Sequence, residues 1–175
     1  MNAFIRTALI FGILGGVVCS LYFCGVYYLK KNPFFSFWGN LVIIFVGVSI
    51  FISIYIYSRK YSEGAFSFGQ GILLGGITAL IICITVGIII YVIAEYVEPG
   101  MVEIYKTDSL QHLLKNKDQL IKESSLEIYA AYLKSIPEMN AYNSVQRYII
   151  ANILIPGLMF SILSTLPLRR KKESI

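Results

Sequence analysis

Charge is what this chain has least of. Only 14% of its 175 residues are charged, where a soluble domain carries about 25%. Hydrophobic residues make up 57% of the chain, its mean hydropathy is +0.69, and the apolar residues fall in long runs, not at amphipathic spacing. That excludes a soluble globular domain. Histidine occurs once, at His112, with no other candidate ligand near it in sequence, and reads as a solvated surface residue. Cys19, Cys24 and Cys83 lie inside apolar runs and form no C-x-x-C pair. With no His or carboxylate beside them, they offer no metal or redox site and read as small apolar side chains. There is no G-x-S-x-G, H-E-x-x-H or P-loop motif. Glu123 and Glu127 are spaced i, i+4, but in a segment rich in compensating Lys. We therefore expect no enzyme, no cofactor and no metal. The net charge of +5 is concentrated at the ends of the apolar runs, as membrane topology requires, and needs no nucleic-acid partner.

What remains is an all-α integral membrane protein, a single domain with four spans at about 7–29, 39–57, 69–97 and 148–168. The first run is too long for the core of a cleaved signal peptide, and no small-x-small site follows it, so the span is expected to be retained. Tyr27, Tyr28, Lys30 and Lys31 mark its interface, and Phe34, Phe35, Phe37 and Trp38 form an aromatic belt before the second span. Arg59, Lys60 and Glu63 close the second span, and Gly64 breaks the helix. The third span is long enough to require tilt or protrusion, and Pro99 and Gly100 end it. Inside the fourth, Pro156 should kink the helix.

Between the third and fourth spans, residues 100–146 are the only substantial polar region. Leu110, Leu113, Leu114, Leu120 and Ile121 recur at helical spacing, as do Leu126, Tyr129, Ala130 and Leu133. This predicts one long helix, or two broken near Ser124 and Ser125, resting its apolar stripe on the membrane surface or on the ends of the spans. Asp108 with Gln111 resembles a capping box. With four spans both termini share a side. That side carries seven basic residues (Arg6, Arg59, Lys60, Arg169, Arg170, Lys171, Lys172) against Glu63 and Glu173. The 95–147 segment carries six basic and eight acidic residues. Both termini are therefore expected in the cytoplasm, with the helical insertion extracytoplasmic. Lys30 and Lys31 are the one mild conflict.

Small residues recur every four positions in the third span: Gly71, Gly75, Ala79, Cys83 and Gly87. The first span carries Ala8, Gly12, Gly16, Ser20 and Cys24 at the same interval. Such a row forms one stripe on a helix and lets another backbone approach closely, the main way helices associate in lipid. The two spans align without gaps at an offset of 59 residues, both with G-x-x-x-G (Gly12 with Gly16, Gly71 with Gly75). This suggests a two-plus-two repeat whose first and third helices meet across their small faces. Gly12, Gly16, Gly71, Gly75, Ala79 and Gly87 are the expected packing sites. Intramembrane polar residues are few. Glu95, one turn from the end of the third span, is the carboxylate to consider. With Tyr91, and with Arg147 and Asn152 at the start of the fourth span, it is a candidate polar clasp at the outer end of the bundle.

The segment Arg59 to Gly76, RKYSEGAFSFGQGILLGG, resembles the start of the third span in an uncharacterised family. Its members are small four-span inner-membrane proteins, classed as a domain of unknown function and common in Bacteroidota. The resemblance runs through the basic loop, the Phe-x-x-Gly start (Phe66 to Gly69, or Phe68 to Gly71), the Tyr-rich outer end and the helical insertion. It continues to the Pro156–Gly157 step and the basic tail. It implies a bacterial cytoplasmic-membrane location, carries over no catalytic residues, and points weakly to a membrane glycosyltransferase as partner. The function expected is a non-enzymatic accessory or scaffolding subunit of an inner-membrane complex. The alternatives are a small homo-oligomeric transporter or channel, and a membrane enzyme acting on a lipid-linked substrate at the outer face.

Overall fold

Each long apolar run becomes a helix, and the first turns most of its small and hydroxylated residues inward and its large aliphatics outward. A computed structural model describes residues 2–34, 36–62 and 66–168. Phe35, Glu63, Gly64 and the basic tail Arg169 to Lys172 with Glu173 lie outside the described residues. Among the described residues the fold is all helix, with no strand. Helix α1 (Ala3–Tyr28) buries Thr7, Ala8, Gly12, Gly15, Gly16, Cys19 and Ser20. It exposes Ile10, Ile13, Leu14, Val17, Val18 and Leu21. A soluble bundle would reverse that pattern. Here the large side chains face outward as they would towards lipid tails, and the small ones let helices close on one another.

The short α2 (Phe37–Asn40) leads into α3 (Val42–Lys60), and together they make the second span. Helix α4 (Phe68–Val92) starts at a capping box: the Ser67 side chain accepts from the Gln70 N–H, and the Gln70 side chain accepts from the Ser67 N–H. Its last turn, Ile93–Val97, widens to π geometry. The fourth span comprises α8 (Ala141–Ile149), a π turn (Ile150–Leu154) and α9 (Ile155–Thr165), ending in a 3₁₀ turn. The π turn directly precedes Pro156. A helical proline removes one N–H and pushes its ring against the carbonyl four residues back. Opening the preceding turn to π geometry relieves that clash. In all, four helices are long and apolar enough to cross a membrane.

In cross-section α3 and α4 form the short diagonal of a four-helix bundle. Helices α1 and α9 occupy opposite corners, each packed on both. The repeat expectation for the packing faces is corrected here. Helices α1 and α4 do lie side by side and parallel, but not small face to small face. Gly12 sits against Ile81, and Gly16 against Thr85. The stripe of α4 is taken instead by α9, whose own small row is Gly157, Ser161 and Thr165. Gly71 meets Thr165, Gly75 meets Ser161, Ala79 meets Gly157, and Gly87 meets Ile149. Over the first three pairs the register is antiparallel, four residues down one helix for four up the other, and the fourth falls on α8 beyond the π turn. The physical reason is economical. A seam between backbones closes furthest when both sides are small, and α9 supplies a matching row. Gly12 and Gly16 of α1 serve as slots for the β-branched Ile81 and Thr85.

Buried hydroxyls are mostly satisfied within their own helices: Ser20 donates to the Gly16 carbonyl, Thr78 to Leu74, Ser161 to Gly157 and Thr165 to Ser161. One bond crosses the short diagonal, between Ser53 and Thr78 at 3.1 Å.

The insertion is three helices, not one or two: α5 (Gly100–Lys115), α6 (Lys117–Glu123) and α7 (Leu126–Ser135). One break falls at Ser124 and Ser125, the other at Asn116. Asp108 is mid-helix and not a cap, because α5 begins directly at Gly100. Helix α5 buries Met101, Val102, Tyr105 and Ser109, and the three helices form a cap over one end of the bundle.

Candidate functional site

The polar residues gather at the cap end, where the α1–α2 linker, the π turn of α4, the cap and α8 meet. Phe34 is the hub of the apolar part. Its ring lies 5.0 Å from Phe23, 5.0 Å from Tyr105 and 5.8 Å from Tyr148. Three segments distant in sequence, α1, α5 and α8, are thus fastened by edge-on and tilted aromatic contacts. Around the hub run polar ties. The Tyr27 hydroxyl donates to Glu98 Oε2 at 3.2 Å, and Asn32 Nδ2 donates to Asp108 Oδ2 at 2.7 Å. Lys31 Nζ stands 3.9 Å from the centre of the Trp38 ring. One turn apart on α8, the buried hydroxyls of Ser144 and Tyr148 have no hydrogen-bond partner among the described residues.

The four clasp residues are near this end but are not joined. Tyr91 is half-buried, Glu95 and Arg147 are exposed, and Asn152 is buried. Asn152 Nδ2 donates to the Tyr148 carbonyl of its own helix at 3.3 Å. Among the described residues the one ion pair is Lys106 with Glu103, at 2.8 Å, so Glu95 and Arg147 do not pair. The carboxylates that tie elements together are Glu98 and Asp108. No group of three or more metal-ligating side chains forms among the described residues.

Two clefts adjoin in the cap. The first, about 340 Å³, lies between α5, α6, α7 and the last turn of α8. Its wall includes Tyr105, Leu113, Tyr129, Tyr132, Ile136 and Met139, with Ser109, Ser124, Ser135 and Arg147 as polar points. The second, about 390 Å³, is polar: Lys31, Asn32, Ser36, Asp108, Gln111 and Lys115. His112 lines both. Sequence spacing placed the apolar residues of α5 and α7 correctly on helices. It held no signal that the break at Asn116 folds them back on one another to enclose a cleft.

This order of spans, with a helical cap inserted before the last, covers the same ground as a family match. The family described as "Protein of unknown function (DUF4199)" matches residues 10–170. The chain belongs to that family. No curated protein and no solved structure matches it. The family match takes in all of α3 to α9, so the cap and its clefts lie wholly within the DUF4199 region.

Proposed function

We propose that this DUF4199 protein is a non-enzymatic accessory subunit of a bacterial inner-membrane complex. Both termini face the cytoplasm, and the cap lies outside and engages a second integral membrane protein. The observation that carries this reading is the apolar surface of the cap, beyond the spans. Leu114, Leu126 and Tyr132 are each more than half exposed there, where no lipid-facing role in a span accounts for them. Clustered exposed apolar side chains outside the membrane are what a docking face offers. The closed bundle adds support. The hydroxyls of Ser20, Thr78, Ser161 and Thr165 are occupied by their own helices, an arrangement suited to packing and not to passing a polar solute. The resemblance stated above nominates a membrane glycosyltransferase as the class of partner.

The test is purification of the tagged protein from native membranes in mild detergent, with mass spectrometry of co-purifying chains. The subunit reading expects one membrane protein at stoichiometric yield, lost with Leu114→Glu and Leu126→Glu and retained with Glu95→Gln. Purification as a monomer or homo-oligomer with no such companion would overturn it, and transport would then be assayed in proteoliposomes.

A further inference from the structure

The first cap cleft is unusual for a surface depression in its chemistry. Its long wall is tyrosine and aliphatic, and the charged group among its lining residues is Arg147, with no carboxylate beside it. At about 340 Å³ it falls at the lower end of the 300–1,000 Å³ range of ligand sites, mostly apolar with a few fixed polar points. Arginine holds its charge at every relevant pH and presents a planar fork that suits carboxylate and phosphate oxygens. The neighbouring cleft shares His112 and adds Lys31 and Lys115. Its one acid is Asp108, so the lining of the two clefts together carries Arg147, Lys31 and Lys115 against a single carboxylate. Arg147 stands on α8, the first segment of the fourth span, so the cleft lies where a lipid headgroup would meet the protein.

We propose that this cleft binds a single-chain amphiphile with an anionic headgroup, Arg147 taking the anion and the tyrosine wall taking the start of the chain. The specificity follows from the lining. A neutral headgroup would gain nothing from Arg147, and a free anion would leave the apolar wall wet. The cleft shares Tyr132 with the proposed docking face but is not lined by Leu114 or Leu126, so Leu114→Glu and Leu126→Glu test the face without touching the cleft.

The experiment uses the full chain in phosphatidylcholine nanodiscs with a diazirine-bearing fatty acid, irradiated and mapped by peptide mass spectrometry. The expected adducts fall on α5 and α7 residues of the cleft. They are competed by oleate and by lysophosphatidate, and not by monoolein or by inorganic phosphate. Arg147→Gln, at an exposed position, should raise the competitor concentration needed by about tenfold or more, the loss of a charge-assisted hydrogen bond. Ile128→Trp should fill the cleft and abolish the adducts, whereas Leu126→Trp on the outer face should not. Labelling confined to lipid-facing span residues would overturn the proposal. So would equal competition by monoolein, or an unchanged Arg147→Gln. Displacement by inorganic phosphate at the same concentration as oleate would make this a site for soluble anions and would equally refute it.

Discussion

Replacing Gly75 by alanine adds one carbon, and the geometry says where that carbon goes. A Cβ at Gly75 would stand 2.5 Å from Ser161 Oγ and 2.7 Å from Ser161 Cβ, with Ile54 Cδ1 at 3.1 Å. The isoleucine methyl can swing aside, and the serine hydroxyl can change rotamer. Ser161 Cβ cannot, because it is fixed to the α9 backbone. Ordinary contact begins at 3.4 Å, so α4 and α9 must part by several tenths of an ångström along a seam that also holds Gly71 and Ala79. Overpacking of this kind costs about 1–3 kcal/mol. The neighbouring Gly76 is the control: its nearest atom is Leu158 Cδ2 at 3.9 Å, so Gly76→Ala should be neutral or gain up to about 1 kcal/mol of helix propensity. A built-in reporter exists. Cys19 and Cys83 are buried in the bundle, so a thiol-reactive dye should label them fully only on unfolding. Thermal melts read this way should show Gly75→Ala several degrees lower, at roughly 2–4 °C per kcal/mol for a chain of this size. Ser161→Gly in the same chain should restore part of the loss by removing the opposing Cβ. Equal melting of Gly75→Ala and Gly76→Ala, or no rescue by Ser161→Gly, would refute the close α4–α9 seam.

Three further outcomes are expected. In a chain whose native cysteines are replaced, Gly12→Cys with Ile81→Cys should oxidise to a disulfide: the two Cβ positions stand 2.6 Å apart, so α1 and α4 need part by only about 1 Å to reach disulfide geometry. Gly12→Cys with Gly71→Cys should stay reduced on a non-reducing gel, and the reverse pattern would restore the symmetric pairing. Phe34→Ala removes the hub between α1, α5 and α8 and should cost about 3–5 kcal/mol. Amide exchange should then accelerate in α5 well before the spans, and uniform acceleration would contradict a separately fastened cap. Tyr148→Phe deletes a buried hydroxyl with no partner among the described residues and should leave stability unchanged or raise it by about 1 kcal/mol, read as an unchanged or higher melting temperature. A clear fall would mean that the hydroxyl does bond.

The membrane helices were legible from composition alone, because in lipid every backbone group must be satisfied within its own segment and only long apolar helices do so cheaply. The start of α4 was also written in the chain: Ser67 and Gln70 are three apart in front of an apolar run, the spacing of a capping box. Asp108 and Gln111 show the same spacing and are not a cap. The difference lies upstream. Glycine and proline at Gly64 and Pro99 are followed by different distances to the next helix, and α5 starts at once after Pro99, whose fixed φ suits a first turn. Local spacing could not rank the two sites, because whether a helix has already begun is decided by the residues before the motif.

A row of small residues announces that something comes close, and it says nothing about what. The stripe of α4 and the stripe of α1 look alike in sequence, yet one takes a helix with a matching stripe and the other takes branched side chains. The identity of the neighbour was nonetheless present further along the chain, in Gly157, Ser161 and Thr165. That row is harder to see because Ser and Thr stand in it. Their hydroxyls donate to the carbonyls four residues back in α9, which hides their polarity and leaves only their small size at the seam. The clasp failed for the complementary reason. Glu95, Arg147 and Asn152 were grouped by depth along their spans, but depth fixes one coordinate and leaves the azimuth free. On a helix of 3.6 residues per turn the azimuth decides the partner. It sends Glu95 and Arg147 outward and Asn152 inward to its own backbone. Among the described residues Arg147 pairs with no carboxylate, and as a lining residue of the cap cleft it separates the two readings of the cap. If Arg147→Gln abolishes fatty-acid labelling and leaves the co-purifying partner untouched, the cleft and the docking face are distinct. If it abolishes both, the amphiphile is part of what the partner recognises.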